Sequence, residues 1–118
     1  MKKEDLLSIN LANKALEAKL MDAFDKELLE VDFMTAVEKR DYSRKVCYDL
    51  ASGSEACLDL PGSRVLYYRF DDDSWFCVRP SGTEPKIKIY LAVVGKSDEE
   101  AERKLKSLKK AILSKAGK

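Results

Sequence analysis

Arg79-Pro80-Ser81-Gly82-Thr83-Glu84-Pro85-Lys86 places a guanidinium, two hydroxyls, a glycine and an ammonium within eight consecutive residues. That set suits a phosphate dianion. Arginine gives paired, charge-assisted hydrogen bonds to phosphate oxygens. Ser81 and Thr83 add hydroxyl donors. Gly82 allows close backbone approach and an inward turn of N–H groups, as in anion-binding nests. Pro80 and Pro85 stiffen the shoulders of the segment, so less order is lost on binding. The same composition also suits a plain hairpin turn, where Pro, Ser, Gly and Thr are common without any ligand.

With the following Ile87-Lys88-Ile89-Tyr90, the string resembles the phosphate-binding loop in the C-terminal domain of the α-D-phosphohexomutases. That superfamily includes phosphoglucomutase, phosphomannomutase and phosphoglucosamine mutase. The close likeness covers residues 60–94, beginning with a turn at Leu60-Pro61. A looser likeness reaches back to Asp41-Tyr42-Ser43 and forward to the terminal helix. Residues 1–27 and 44–59 match nothing in the family pattern. The Pro-Lys-Ile-Lys-Ile-Tyr continuation is closer to phosphoglucomutase/phosphomannomutase members than to phosphoglucosamine mutases.

Carried over by motif position, the resemblance implies substrate-phosphate contacts from Arg79, Ser81, Gly82 and Thr83. Arg79 is the main bidentate anchor. Lys88 either extends the positive site or is a solubilising edge lysine. Glu84 is assigned to loop structure, because a carboxylate opposes phosphate unless it is turned away or paired. The implied activity is interconversion of hexose 1-phosphates and 6-phosphates, with this domain clamping the phosphate. Family members have four domains, and a chain of 118 residues suits about one. The phosphoserine loop of the Thr-Ala-Ser-His-Asn-Pro type is absent, since the chain has no histidine. The Asp-Gly-Asp-Gly-Asp-Arg magnesium loop is absent too. The resemblance therefore implies a fourth domain that is inactive alone and holds no catalytic residue. Magnesium and the phosphoserine belong to domains outside this chain, and the partners are a hexose phosphate and those domains. A free-standing sugar-phosphate-binding module and a phosphoglucosamine mutase domain are the alternatives, with an interaction module built on the N-terminal helix as a third reading.

Twenty-two basic against 21 acidic residues leave a net charge of +1. Such a balance gives no global field toward nucleic acid or anionic membranes. No apolar run is long enough to span a bilayer, and Met1-Lys2-Lys3 leads into a charged amphipathic segment rather than a signal peptide. Cys47, Cys57 and Cys77 are widely spaced, with no histidine to complete a zinc set, and imply a reduced, cytoplasmic protein.

The elements around the loop follow from periodicity. Ile9, Ala12, Leu16, Leu20, Ala23 and Phe24 predict one amphipathic helix over residues 5–27. It is a linker helix, an oligomerisation helix or a helix packed on its own sheet. Residues 1–30 are accordingly set apart as a linker and 31–118 as the phosphate-binding domain. Alternation predicts strands over residues 31–39, 65–70, 75–79 and 86–94, with Arg44 to Ser63 as a long loop holding a short strand or helical turn near residues 46–50. Asp71-Asp72-Asp73-Ser74 is a polar turn, with a weak cation site as the competing reading. Ser97 and Glu100 form a capping box for a last helix with the stripe Ala101, Leu105, Leu108 and Ile112. The lysines between 104 and 115 read as that helix's solvated face. The expected fold is α+β: about four antiparallel strands with helices on one face, which the resemblance likens to the TATA-binding-protein type. The likeness carries no implication of DNA binding.

Overall fold

The computed structural model describes residues 1–59 and 62–117; the turn expected at Leu60-Pro61 lies outside them. The chain is α+β, with two helices and a seven-stranded antiparallel sheet. In chain order the elements are β1 (Lys2–Asn10), α1 (Lys14–Lys26), β2 (Ala36–Asp41), β3 (Val46–Asp49), β4 (Glu55–Cys57), β5 (Leu66–Phe70), β6 (Trp75–Pro80), β7 (Lys86–Val94) and α2 (Asp98–Lys115). The spatial order of strands is β1-β7-β6-β5-β2-β3-β4.

The strands expected at 65–70, 75–79 and 86–94 form as β5, β6 and β7. Their alternation sends Leu66, Tyr68, Phe70, Phe76, Val78, Ile87, Ile89, Leu91 and Val93 to one buried face. Leu20, Met21 and Phe24 of α1 and Ala101, Leu108 and Ile112 of α2 complete a single core on that face. Fully burying a side chain such as Phe76 contributes about 1.5–3 kcal/mol. Phe76 stacks on Tyr68 with ring centroids 5.1 Å apart. The Tyr68 hydroxyl donates to the carbonyl of Phe24, fastening α1 to β5. Ser97 caps α2 as expected, with the Glu100 N–H donating to Ser97 Oγ at 3.2 Å, but the returning half of the box is shifted by one residue: the Glu100 carboxylate accepts from the Lys96 N–H at 3.2 Å.

The sheet is larger than four strands, for two reasons: β1 is added at one edge and a hairpin at the other. Residues 2–10 form a strand, not the first turns of a helix. The outer edge of β7 would otherwise expose a row of N–H and C=O groups, and β1 pairs with it from Lys2↔Val94 to Asn10↔Lys86. Helix α1 starts only at Lys14, where the Asn13 side chain accepts from the Leu16 N–H at 2.9 Å. The core-side charges of β1 are paired from α2: Lys3 with Glu102 at 2.9 Å and Asp5 with Lys109 at 2.6 Å. Lys109, then the Leu6 N–H, hold the Asp5 carboxyl below its usual range. Residues 2–26 thus share the sheet and core rather than standing apart from them.

The long loop holds a hairpin, β3 and β4, in place of one short strand. Gly53 turns it with φ 79°, and Asp49 accepts from the N–H groups of Ala51 and Ser52 at 3.0 and 3.1 Å. The strand expected over 31–39 begins at Ala36. Val31 and Met34 close a tight turn whose Phe33 has φ 69° and is 89% exposed, so Phe33 does not share the buried side with Val31.

Candidate functional site

The two strands that carry the loop are in register as Arg79↔Lys88 and Pro80↔Ile87. Residues 79 and 88 therefore stand directly opposite each other on the sheet face away from the helices. Lys88 also faces Ser8 of β1, so its strand lies between neighbours and is not an edge. Two cations at opposed positions repel. Among the described residues neither Arg79 nor Lys88 has a carboxylate partner within salt-bridge distance, although most other charged side chains of the sheet do; Glu38, for instance, holds both Arg40 and Arg69. Arg79 is exposed and Lys88 half-buried. The positive field also reaches Cys77, two residues before Arg79: burial pushes the Cys77 thiol up, and the guanidinium partly offsets this.

The loop itself is closed by two backbone bonds. The Ser81 N–H donates to the Lys86 carbonyl at 2.7 Å, and the Lys86 N–H donates to the Glu84 carbonyl at 2.8 Å across Pro85. Among the described residues the N–H groups of Gly82, Thr83 and Glu84 have no acceptor, and the hydroxyls of Ser81 and Thr83 have no partner. Glu84 sits 3.8 Å from the Lys86 ammonium, which meets the pairing condition set for a carboxylate beside an anion site. Gly82 departs from expectation in one respect. Its φ is not positive, so it does not form the left-handed element of a nest. A Cβ at Gly82 would also meet nothing within 4 Å. Nothing inside the chain therefore requires glycine there; open space in front of the backbone is what a docking anion needs.

The structure also shows two loop contacts that sequence reasoning missed. The Leu11 N–H donates to the Pro85 carbonyl at 2.8 Å. The Lys14 ammonium donates to the carbonyls of Ser81 and Glu84 at 3.3 and 3.1 Å. Lys14 lies 67 positions before Ser81 in a lysine-rich amphipathic run, and no local pattern distinguishes it from its solvated neighbours.

The acidic turn does not fit a metal ion. Asp71 accepts from the Thr35 N–H, Asp72 pairs with Lys104 at 2.6 Å, and Asp73 pairs with Arg69 at 3.3 Å. Each carboxylate thus points to a different neighbour. Among the described residues, no group of three or more His, Cys, Asp or Glu is placed to hold a cation. Cys47, Cys57 and Cys77 are all free thiols. No helix of the described residues is long and apolar enough to cross a membrane.

An open antiparallel sheet, backed by two helices and carrying a cationic, donor-rich loop between β6 and β7, defines an α+β domain. The chain belongs to the family described as phosphoglucomutase/phosphomannomutase, C-terminal domain, whose model matches residues 9–111. It is similar to a phosphoglucomutase of Staphylococcus aureus strain MRSA252, 32% identical over 68 residues, which is 58% of this chain and 12% of that protein. A phosphoglucomutase of Staphylococcus saprophyticus subsp. saprophyticus is 28% identical over 80 residues, 68% of this chain and 14% of that protein. The matched stretch is thus about an eighth of these curated relatives' length.

Proposed function

We propose that this domain is the substrate-phosphate clamp of a larger, magnesium-dependent, cytoplasmic phosphohexomutase of the phosphoglucomutase/phosphomannomutase type. Residues 31–118 carry the clamp loop, and residues 1–30, which pack on the same sheet and core, connect it to the preceding domains. In such an enzyme a hexose 1-phosphate and a hexose 6-phosphate interconvert through a bisphosphate. The difficulty lies in holding a multiply charged sugar while it is turned over between phosphotransfers. The domain's task is to grip the phosphate that is not being transferred, so that the reacting end is positioned and water is excluded. Phosphotransfer itself falls to other domains, which would also hold the metal.

Within the clamp, Arg79 supplies the bidentate anchor. Ser81 and Thr83 donate from their hydroxyls, and Gly82 offers its N–H and an unobstructed approach. Lys88 neutralises the second charge of the dianion. The observation that carries this reading is the opposed, carboxylate-free pair Arg79 and Lys88 at the base of a loop with unpaired donors. A bound dianion turns their mutual repulsion into two attractions.

The test is an NMR titration with glucose 1-phosphate, with glucose as the uncharged control. Shifts confined to the amides of residues 79–88, absent with glucose, are the expected result. Arg79→Ala should weaken binding about 10- to 100-fold, the value of a charge-assisted hydrogen-bond pair. The thermal midpoint should stay put or rise slightly, since a like-charge contact is removed. Equal binding by Arg79→Ala and wild type would overturn the assignment.

A further inference from the structure

We propose that Lys14, braced by Glu17, is a positioning residue that aims the Gly82 N–H at the bound anion. The proposal rests on the reading of residues 79–88 as a phosphate site and concerns how that site is shaped.

Three contacts converge on the Lys14 ammonium: the carbonyls of Ser81 and Glu84, and the Glu17 carboxylate at 3.2 Å. An ammonium has three N–H donors, so each is matched by one acceptor. Ser81 and Glu84 flank Gly82 and Thr83, one on each arm of the loop, and a single cation thus bridges the arms. Glu17 is only 9% exposed and sits in the first turn of a helix whose start is fixed by the Asn13 cap. The brace is therefore rigid. The same corner of the chain grips the loop again through Leu11 and Pro85, and through Asn10 opposite Lys86.

Peptide geometry gives this bridge a directional effect. The Ser81 carbonyl and the Gly82 N–H belong to one planar trans peptide unit, so they point in opposite directions. Drawing the Ser81 carbonyl toward Lys14 turns the Gly82 N–H away from α1. The cation also polarises that unit, which strengthens its N–H as a donor. On the other arm, the Glu84 carbonyl shares its peptide unit with Pro85, which has no N–H. Fixing that carbonyl therefore holds the arm without turning a second donor away from the ligand.

The side chain of Lys14 is 54% exposed, so its loss should not unfold the domain. The experiment compares wild type with Lys14→Met and Lys14→Arg. Amide hydrogen exchange in the ligand-free protein is followed at Ser81 and Lys86, whose N–H groups close the loop. Inorganic phosphate is then titrated and read at the Gly82 amide. For Lys14→Met, exchange at both amides should quicken about tenfold and phosphate affinity should fall about three- to tenfold, as expected for losing a charged donor to two carbonyls. The ligand-free Gly82 amide shift should move. Lys14→Arg should restore most of each effect. Unchanged exchange and an unmoved Gly82 amide in Lys14→Met would overturn the proposal, even where phosphate binds normally. Failure of Lys14→Arg to restore the loop would equally count against a cationic strut. If wild type binds no phosphate, the phosphate-site reading fails by itself, and the ligand-free exchange still decides the role of Lys14 in holding the loop.

Discussion

Replacing Gly95 by alanine should destabilise the domain severely, for a reason visible only in three dimensions. Gly95 is buried where β7 hands over to α2. A Cβ built there would lie 2.6 Å from the Ala101 backbone nitrogen and 2.9 Å from its Cα, where ordinary contact begins at 3.4 Å. The first turn of α2 must therefore retreat by about 0.8 Å, the difference between 3.4 and 2.6 Å. That turn cannot move alone. Ala101 is fully buried, and the Lys104 ammonium is held by Asp72 at 2.6 Å and by the Val94 carbonyl at 2.7 Å. Overpacking of this kind costs about 1–3 kcal/mol. At about 4 °C per kcal/mol for a domain of this size, the thermal midpoint should fall by about 4–12 °C. Adding Ala101→Gly should not rescue it, because the clash is with backbone atoms. Gly82→Ala is the matched control: its Cβ meets nothing and its φ is not positive, so the midpoint should hold or rise by a few degrees while phosphate binding weakens. Thermal denaturation followed by circular dichroism measures all three. A Gly95→Ala protein melting within about 1 °C of wild type would refute the close approach and the reasoning built on it.

Other consequences are simpler to check. Asp72 is partly desolvated, which would raise its pKa, but hydrogen bonds from Lys104 and from the N–H and hydroxyl of Ser74 outweigh this and hold the carboxyl below its ordinary range. Its contribution to stability is then present above the unfolded value of about 3.9 and is lost as pH falls through the lower folded value. Urea titrations of wild type and Asp72→Asn should differ by about 1 kcal/mol at pH 7 and converge in acid; a constant difference across that range would exclude the linkage. Thiol labelling should be ordered by exposure: Cys57 is exposed and should react first, whereas burial raises the Cys77 thiol and should slow it at neutral pH. Equal rates, followed by mass spectrometry of the labelled peptides, would contradict the partial burial of Cys77.

Several features are legible in the order of residues alone. Strands β5, β6 and β7 announce themselves by alternation, because one face of each packs on the core and the other does not. Ser97 and Glu100 mark the start of α2 because a helix end must satisfy its own orphan N–H groups locally. The loop is legible because Arg79, Ser81, Gly82, Thr83 and Lys86 lie within eight residues. What these signals share is that partner and cause lie close together in the chain. Strand β1 is different. Its Leu6-Leu7 pair breaks the alternation, and Ile9 fits the helical spacing of Leu16 and Leu20 just as well; only the open edge of β7 makes residues 2–10 extended. The hairpin of β3 and β4 is likewise set by pairing to β2, not by strong strand composition. Opposition of Arg79 to Lys88 follows from β6–β7 register, and the grip of Lys14 on the loop depends on the α1 corner folding beneath it. The amino-acid sequence by itself determined the chemistry of the loop and the periodic elements beside it. Tertiary structure alone decided which distant groups meet that loop, because pairing across 67 positions depends on the packed sheet and leaves no trace in local spacing.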